Sequence, residues 1–187
     1  ISGYNPGDTS NPVAESINGA SVQAAKEMGR RHDLTFMAGL LERDVSGIVY
    51  NTQIIVSGGA VVGSYRKTHI ADTESGTWCP GSEMPVFVHP KARFGIEICF
   101  DSHFPEVSMI LAEHGAEILF MPHVTCCLPS VMPGRGTVDR QLWDNRHRDP
   151  VRLRQEFHGP KGREWLMRWL PARAYENGVY TVFTNPI

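Results

Sequence analysis

Cys99 closes a short apolar run, Gly95-Ile96-Glu97-Ile98-Cys99, and is followed at once by Phe100-Asp101-Ser102-His103-Phe104-Pro105-Glu106. The β-branched run reads as a strand, and Pro105 with Glu106 as the opening of a helix, so the thiol falls at a strand-to-helix turn. A thiol in that position faces a crevice and lies near backbone N–H groups and a helix N-terminus, both of which favour negative charge. Such groups can lower a thiol's pKa and hold an oxyanion in the same place. By residue type alone a lone cysteine is most often a small buried hydrophobe, so its company decides the reading. Lys67 follows another strand, and its cation could stabilise both a thiolate and a tetrahedral oxyanion. The Phe100 N–H, directly after the candidate nucleophile, is a second oxyanion donor. His123, Val124 and Thr125 follow a strand end on the same edge as Cys99 and are expected to line the pocket.

The elements that must hold these groups are legible in the pattern. Asn11-Pro12 reads as an N-cap followed by proline at the first helical position, and Val13, Ile17, Ala20, Ala24 and Met28 then recur at helical spacing, predicting a helix to about Arg31. Residues 34–41, 50–56 and 60–65 read as strands, with Gly58-Gly59 as a hairpin signal. Residues 68–84 show no period and are expected to border the site. Residues 94–100 are expected as a buried strand, 105–114 as a helix ended by Gly115, and 117–121 as a further strand, which together make a βαβ unit. Residues 129–162, rich in Pro, Gly and Arg, are expected to form an irregular excursion with short helical pieces. Residues 163–177 read as a helix kinked or split by Pro171 and ended by Gly178, before a strand over 179–184. Strands alternating with helices place the chain among α/β folds, and neither repeat nor linker divides its 187 residues, so a single domain is expected.

Composition narrows the function classes. The chain is 41% hydrophobic and 20% charged, with a formal net charge of -2, a balance that points away from nucleic acid or a membrane surface. No apolar run approaches the ~18 residues that span a bilayer. Four cysteines at irregular spacing do not form a secreted disulfide framework in a chain of this size, so a reduced, cytoplasmic protein is the expectation.

The stretch around Cys99 resembles the nucleophile motif of the nitrilase superfamily of carbon–nitrogen hydrolases. Three further segments resemble that family in the same order: Gly39-Leu40-Leu41-Glu42-Arg43-Asp44 followed by Val49-Tyr50-Asn51-Thr52, then Gly63-Ser64-Tyr65-Arg66-Lys67-Thr68-His69-Ile70, then Arg173-Ala174-Tyr175-Glu176-Asn177-Gly178. The resemblance implies a four-layer α-β-β-α sandwich, incomplete at both termini. It also implies hydrolysis of a non-peptide carbon–nitrogen bond, in an amide or N-carbamoyl amine, through a cysteine thioester, with nitrile hydrolysis by the same residues as an alternative. No cofactor is implied; the partners are a small substrate, water and, at full length, further copies of the chain. Lys67 becomes the catalytic lysine. The family's catalytic glutamate would fall upstream of Gly3-Tyr4, outside this chain, so the 187 residues are expected to be an internal fragment and inactive alone. Glu74, with Trp78-Cys79-Pro80-Gly81 after it, resembles a second glutamate of some members. Glu42 is expected as a supporting hydrogen-bond partner. Asp101 and Arg173 are expected to pair beneath the turn after Cys99, and Glu106, Glu176 and Asn177 to cap or brace.

Rival chemistries draw on the same residues. A papain-type Cys/His hydrolase would use His103 or His123 as base and leave Lys67 without a role. A metal site could be built from His123, Cys126 and Cys127, with Cys79, but adjacent cysteines chelate one ion poorly and no second pair has zinc-finger spacing. A third reading is a non-catalytic assembly module that keeps the fold.

Overall fold

The computed structural model describes residues 10, 12–124, 137 and 139–185. Its elements run α1 (Ala20–His32), β1 (Phe36–Arg43), β2 (Val49–Ser57), β3 (Ala60–Arg66), β4 (Phe87–His89), β5 (Ala92–Ile96), α2 (Pro105–Glu113), β6 (Ile118–Pro122), α3 (Arg140–Asp144), α4 (Pro150–His158), α5 (Arg163–Leu166), α6 (Leu170–Asn177) and β7 (Tyr180–Thr184). Two 3-10 helices, Asp72–Glu74 and Cys99–His103, interrupt the connections. β1, β2 and β3 form one antiparallel sheet. In the second sheet, of order β4-β5-β6-β7, the β5–β6 and β6–β7 pairs are parallel and β4 is antiparallel to β5.

The layering follows from strands that bury both faces. Along β2, Ile54 and Val56 pack with Leu40 and with Val22 and Ala25 of α1. Ile55, facing the other way, joins Tyr65, Phe94 and Ile96 between the two sheets. β6 repeats the arrangement: Ile118 and Phe120 pack into the inter-sheet layer, while Leu119 and Met121 meet Val107 and Leu111 of α2 together with Trp165 and Leu170. The result is the expected α-β-β-α sandwich. Val22, Ile54, Val56, Val107, Leu111 and Leu119 are wholly buried, each contributing about 1.5–3 kcal/mol relative to an exposed side chain.

Most boundaries match the sequence reading. Gly58 and Gly59 both take positive φ, 57° and 82°, as a tight hairpin between β2 and β3 demands. The helix expected over 163–177 is split, and Pro171 sits in the first turn of α6, where its missing N–H costs nothing. Three differences have physical causes. The helix expected from Pro12 begins at Ala20, because the backbone before it is committed to a strand: the Glu15 N–H donates to Leu41 O at 3.0 Å, and Arg43 N–H donates to Glu15 O at 2.8 Å. The strand expected over 94–100 runs Ala92–Ile96, since the chain turns into a 3-10 helix at Cys99. β4, unpredicted, is a three-residue edge strand, too short to show a period. Of the 129–162 excursion, α3 and α4 are helical as expected, while residues 129–136 and 138 lie outside the described residues. Among the described residues no helix is long and apolar enough to cross a membrane.

Candidate active site

Lys67 follows β3 and is fixed by its own backbone, its N–H donating to Asn51 O and its carbonyl accepting from Gly81 N–H. The side chain is wholly buried, as is that of Glu74. Lys67 Nζ donates to Glu74 Oε1 at 2.8 Å and Oε2 at 2.5 Å. Glu74 is aimed by the 3-10 helix that it ends, where its Oε2 also accepts from the Ala71 N–H at 2.9 Å. The loop carrying it is tied down as Cys79 N–H donates to Val49 O and Trp78 is buried beside Leu41 and Val49.

Cys99 is partly exposed and has φ of 51°, one of two non-glycine residues with positive φ among those described. This left-handed conformation strains an L-residue by about 1–2 kcal/mol, and a network beneath the turn holds it there. Asp101 accepts from Ile98 N–H and His69 N–H, each at 2.8 Å, from Tyr65 Oη at 2.8 Å and from Thr68 Oγ1 at 3.1 Å. Arg173 of α6 donates to Ser102 O at 3.2 Å and His103 O at 3.3 Å. The expected pairing of Asp101 with Arg173 is therefore not made. Asp101 is saturated by donors from β3, the loop after it and Ile98 beyond β5, and Arg173 grips turn carbonyls and pairs with Glu176 at 3.0 Å.

The electrostatics of Cys99 also differ from expectation. Burial pushes its pKa above the ordinary thiol value, with the charges of Glu74 and Asp101 acting in the same direction; Lys67 and a hydrogen bond from the Val124 backbone N–H oppose this. Desolvation outweighs the Lys67 charge and the Val124 N–H, so the resting group is a thiol and needs a base to become a nucleophile. The charges of Lys67 and Glu74 thus act on Cys99 in opposite directions, and the Phe100 amide directly follows the thiol.

These features match a known architecture. The carbon–nitrogen hydrolase family model matches residues 1–187. The chain belongs to that family. It is 35% identical over 122 residues to a probable nitrilase, C965.09, of Schizosaccharomyces pombe, an alignment covering 63% of this chain and 45% of the relative. It is 27% identical over 187 residues to an (R)-stereoselective amidase of Pseudomonas sp., covering 100% of this chain and 56% of the relative. The structure superposes on Saccharomyces cerevisiae Nit3, a member of branch 10 of the nitrilase superfamily, with a TM-score of 0.64 at 20% identity, covering 98% of this chain and 58% of Nit3. The chain spans about half the length of the relatives it matches.

In this member of the carbon–nitrogen hydrolase family, the remaining predicted residues fall in distinct places. Glu42 is buried and accepts from Thr52 Oγ1 at 2.7 Å and from Arg66 Nε and Nη2 at 3.0 and 2.6 Å. Burial raises its pKa, but the hydrogen bonds from Arg66 and Thr52 win and hold it below the usual value. Glu106 is exposed in the first turn of α2, where its charge suits the helix dipole. Asn177 Nδ2 donates to Arg173 O at 2.9 Å. His123, expected at the pocket, is buried. Its Nδ1 lies 3.0 Å from Met121 O and its Nε2 3.1 Å from Ser102 Oγ. A carbonyl only accepts, so neutral His123 carries its proton on Nδ1, and the one proton of the Ser102 hydroxyl, donated to Cys99 O at 2.9 Å, is shared with His123 Nε2. Burial pushes its pKa down to about 4. His103, packed among Phe100, Trp165 and Trp169, is likewise pushed down to about 4, chiefly by burial and then by the charges of Arg173 and Lys67. Both are poor bases at neutral pH, which removes the support for a papain-type dyad. Thr125, Cys126 and Cys127 lie outside the described residues. Among the described residues no cluster of three His, Cys, Asp or Glu could hold a metal ion.

Sequence reasoning missed the roles of Tyr65, Thr68, His69 and Ser102. Three of these flank Lys67 in one motif, and that clustering was the available signal. Ser102 carried none, since a serine three residues after a cysteine is unremarkable until the turn closes around it.

Proposed function

We propose that the protein containing this chain hydrolyses non-peptide carbon–nitrogen bonds, in small amides or N-carbamoyl amines, through a Cys99 thioester. The observation that carries this reading is the wholly buried Lys67–Glu74 pair acting on a thiol held at positive φ. Cys99 Sγ attacks the carbonyl carbon while its proton passes to a carboxylate, and the oxygen becomes an oxyanion. Lys67 Nζ and the Phe100 N–H stabilise that charge, and such donors are worth about 2.7–4 kcal/mol each in hydrolases of this chemistry. Collapse of the intermediate breaks the carbon–nitrogen bond, and the carboxylate returns the proton to the departing ammonia or amine. Water then attacks the thioester with the same carboxylate as base, releasing the acid and the free thiol.

Glu74 meets Lys67 with both oxygens, so we assign it the orientation of that ammonium. The proton-carrying carboxylate is assigned to the glutamate that the family resemblance puts ahead of Gly3-Tyr4. The similarity to an (R)-stereoselective amidase supports an amide over a nitrile substrate. A reduced cytoplasmic setting and a homo-oligomeric full-length protein complete the proposal. Its test is ammonia release by the full-length protein from short amides, N-carbamoyl amino acids and nitriles, beside Cys99→Ala. Release from amides or carbamoyl compounds that Cys99→Ala abolishes is the expected result. Turnover near wild type in that variant refutes the assignment.

A further inference from the structure

Ser102 is wholly buried beside the backbone of the nucleophile. Its hydroxyl donates to Cys99 O at 2.9 Å, and Arg173 Nε holds its carbonyl at 3.2 Å. His123 Nε2 lies 3.1 Å from the same hydroxyl oxygen. With its proton on Nδ1, facing Met121 O, His123 can only accept through Nε2. It therefore competes with Cys99 O for the single hydroxyl proton.

What the hydroxyl holds is one end of a rigid unit. The Cys99–Phe100 peptide is planar and trans, so its C=O and its N–H point in opposite directions. Fixing Cys99 O therefore fixes the aim of the Phe100 N–H. Such a restraint is needed here, because Cys99 has φ of 51°, a strained conformation for an L-residue, and relaxation of that strain would rotate this peptide. An amide stabilises an oxyanion only when it is aimed before the charge appears.

We infer that Ser102 is a positioning residue for the oxyanion site: its hydroxyl, bonded to Cys99 O, holds the Cys99–Phe100 peptide so that the Phe100 N–H faces the reacting carbonyl oxygen. The inference rests on Cys99 being the nucleophile and the Phe100 N–H an oxyanion donor, but its test does not require turnover.

The full-length wild type, Ser102→Ala, Ser102→Thr and His123→Phe are compared in two reactions of the Cys99 thiol. Iodoacetamide alkylates Sγ with loss of iodide and of the thiol proton, and builds no charge on oxygen. Propionaldehyde adds to Sγ: the S–C bond forms, the C=O π pair moves to oxygen, and the thiol proton joins it there. The oxygen of that hemithioacetal sits where the oxyanion forms, so its stability reports the aim of the Phe100 N–H. Aldehyde affinity is read as protection of the Cys99 peptide from alkylation, followed by mass spectrometry. Ser102→Ala should lose about fivefold or more in aldehyde affinity, less than the hundredfold or more that deleting an oxyanion donor costs, while its alkylation rate stays within about twofold of wild type. Ser102→Thr keeps the hydroxyl and should restore the affinity. His123→Phe leaves the hydroxyl proton wholly to Cys99 O, so its affinity should equal or exceed that of wild type.

A smaller loss in Ser102→Ala overturns the inference. So does an equal fall in its alkylation rate, which is what a merely structural serine would give. Absence of aldehyde protection in the wild type also overturns it. If Ser102→Ala does not fold, His123→Phe decides, and an aldehyde affinity below wild type there counts against the inference. Amide hydrolysis on the same samples separates the readings. Aldehyde affinity that depends on Ser102 without wild-type turnover sinks the amidase proposal and keeps the positioning role. Turnover with kcat and aldehyde affinity indifferent to Ser102→Ala does the reverse.

Discussion

Removing the Glu74 carboxylate tests the Lys67–Glu74 pair most directly. Both side chains have no exposed surface, and among the described residues Glu74 supplies the two oxygens within hydrogen-bond distance of Lys67 Nζ. In Glu74→Ala the ammonium stays buried without its counter-charge, which costs about 3–5 kcal/mol when one partner of such a pair is deleted. The Ala71 N–H loses its acceptor as well, adding about 1 kcal/mol. Glu74→Gln keeps one acceptor and the volume, so it should fall between wild type and Glu74→Ala. The pair replaced as a whole, Lys67→Met with Glu74→Leu, removes both charges together and should unfold within about 1–2 kcal/mol of wild type or be more stable. Denaturant unfolding of the full-length variants reads all three, with slopes checked for two-state behaviour. The reasoning fails if Glu74→Ala loses less than about 1 kcal/mol, or if the double replacement loses as much as the single one. Turnover should vanish in every variant that moves or removes Lys67.

Two further outcomes follow from the turn and from the first sheet. Cys99→Gly and Cys99→Ala both delete the thiol, but only glycine accepts φ of 51° without strain, so Cys99→Gly should be the more stable by about 1 kcal/mol in thermal or denaturant unfolding; equal stabilities would show the turn to be unstrained. Glu42 has a depressed pKa in the fold. Its contribution is therefore full above the unfolded carboxylate range and lost as pH falls through the lower folded value. With Arg66 37% exposed, solvent screening limits the effect, and Glu42→Gln should lose about 1–2 kcal/mol at neutral pH. That deficit should close in acid, and an unfolding series that shows it constant with pH would refute the pairing.

The fold was legible where burial is periodic. Ile54, Ile55 and Val56 announce a strand buried on both faces, and Gly58-Gly59 and Gly178 mark turns whose φ only glycine takes easily. It was illegible where a backbone partner from far along the chain overrides local preference. Val13 and Ile17 fit a helix as well as any pair in the sequence, yet Glu15 gives its N–H and carbonyl to β1, and α1 waits until Ala20. No local pattern reports that exchange, because β1 lies more than twenty residues away.

The site shows the same division in sharper form. Family resemblance grouped Cys99, Lys67 and Glu74: the first two sit at strand ends that the pattern makes legible, whereas Glu74 lies in a stretch with no period and was placed by resemblance alone. Charge complementarity, by contrast, paired Asp101 with Arg173, and the structure pairs neither with the other. An anion beneath a turn is satisfied more cheaply by oriented N–H and O–H donors than by a flexible guanidinium that must be desolvated first. Asp101 therefore took Ile98, His69, Tyr65 and Thr68, and Arg173 was left to bind carbonyls. This division has a consequence for the nucleophile. Asp101 fixes the start of the turn through Ile98, Arg173 fixes its end through Ser102 and His103, and Cys99 lies between two anchors of opposite charge. A change at either anchor should therefore alter the thiol's geometry without touching the Lys67–Glu74 pair that acts on its charge.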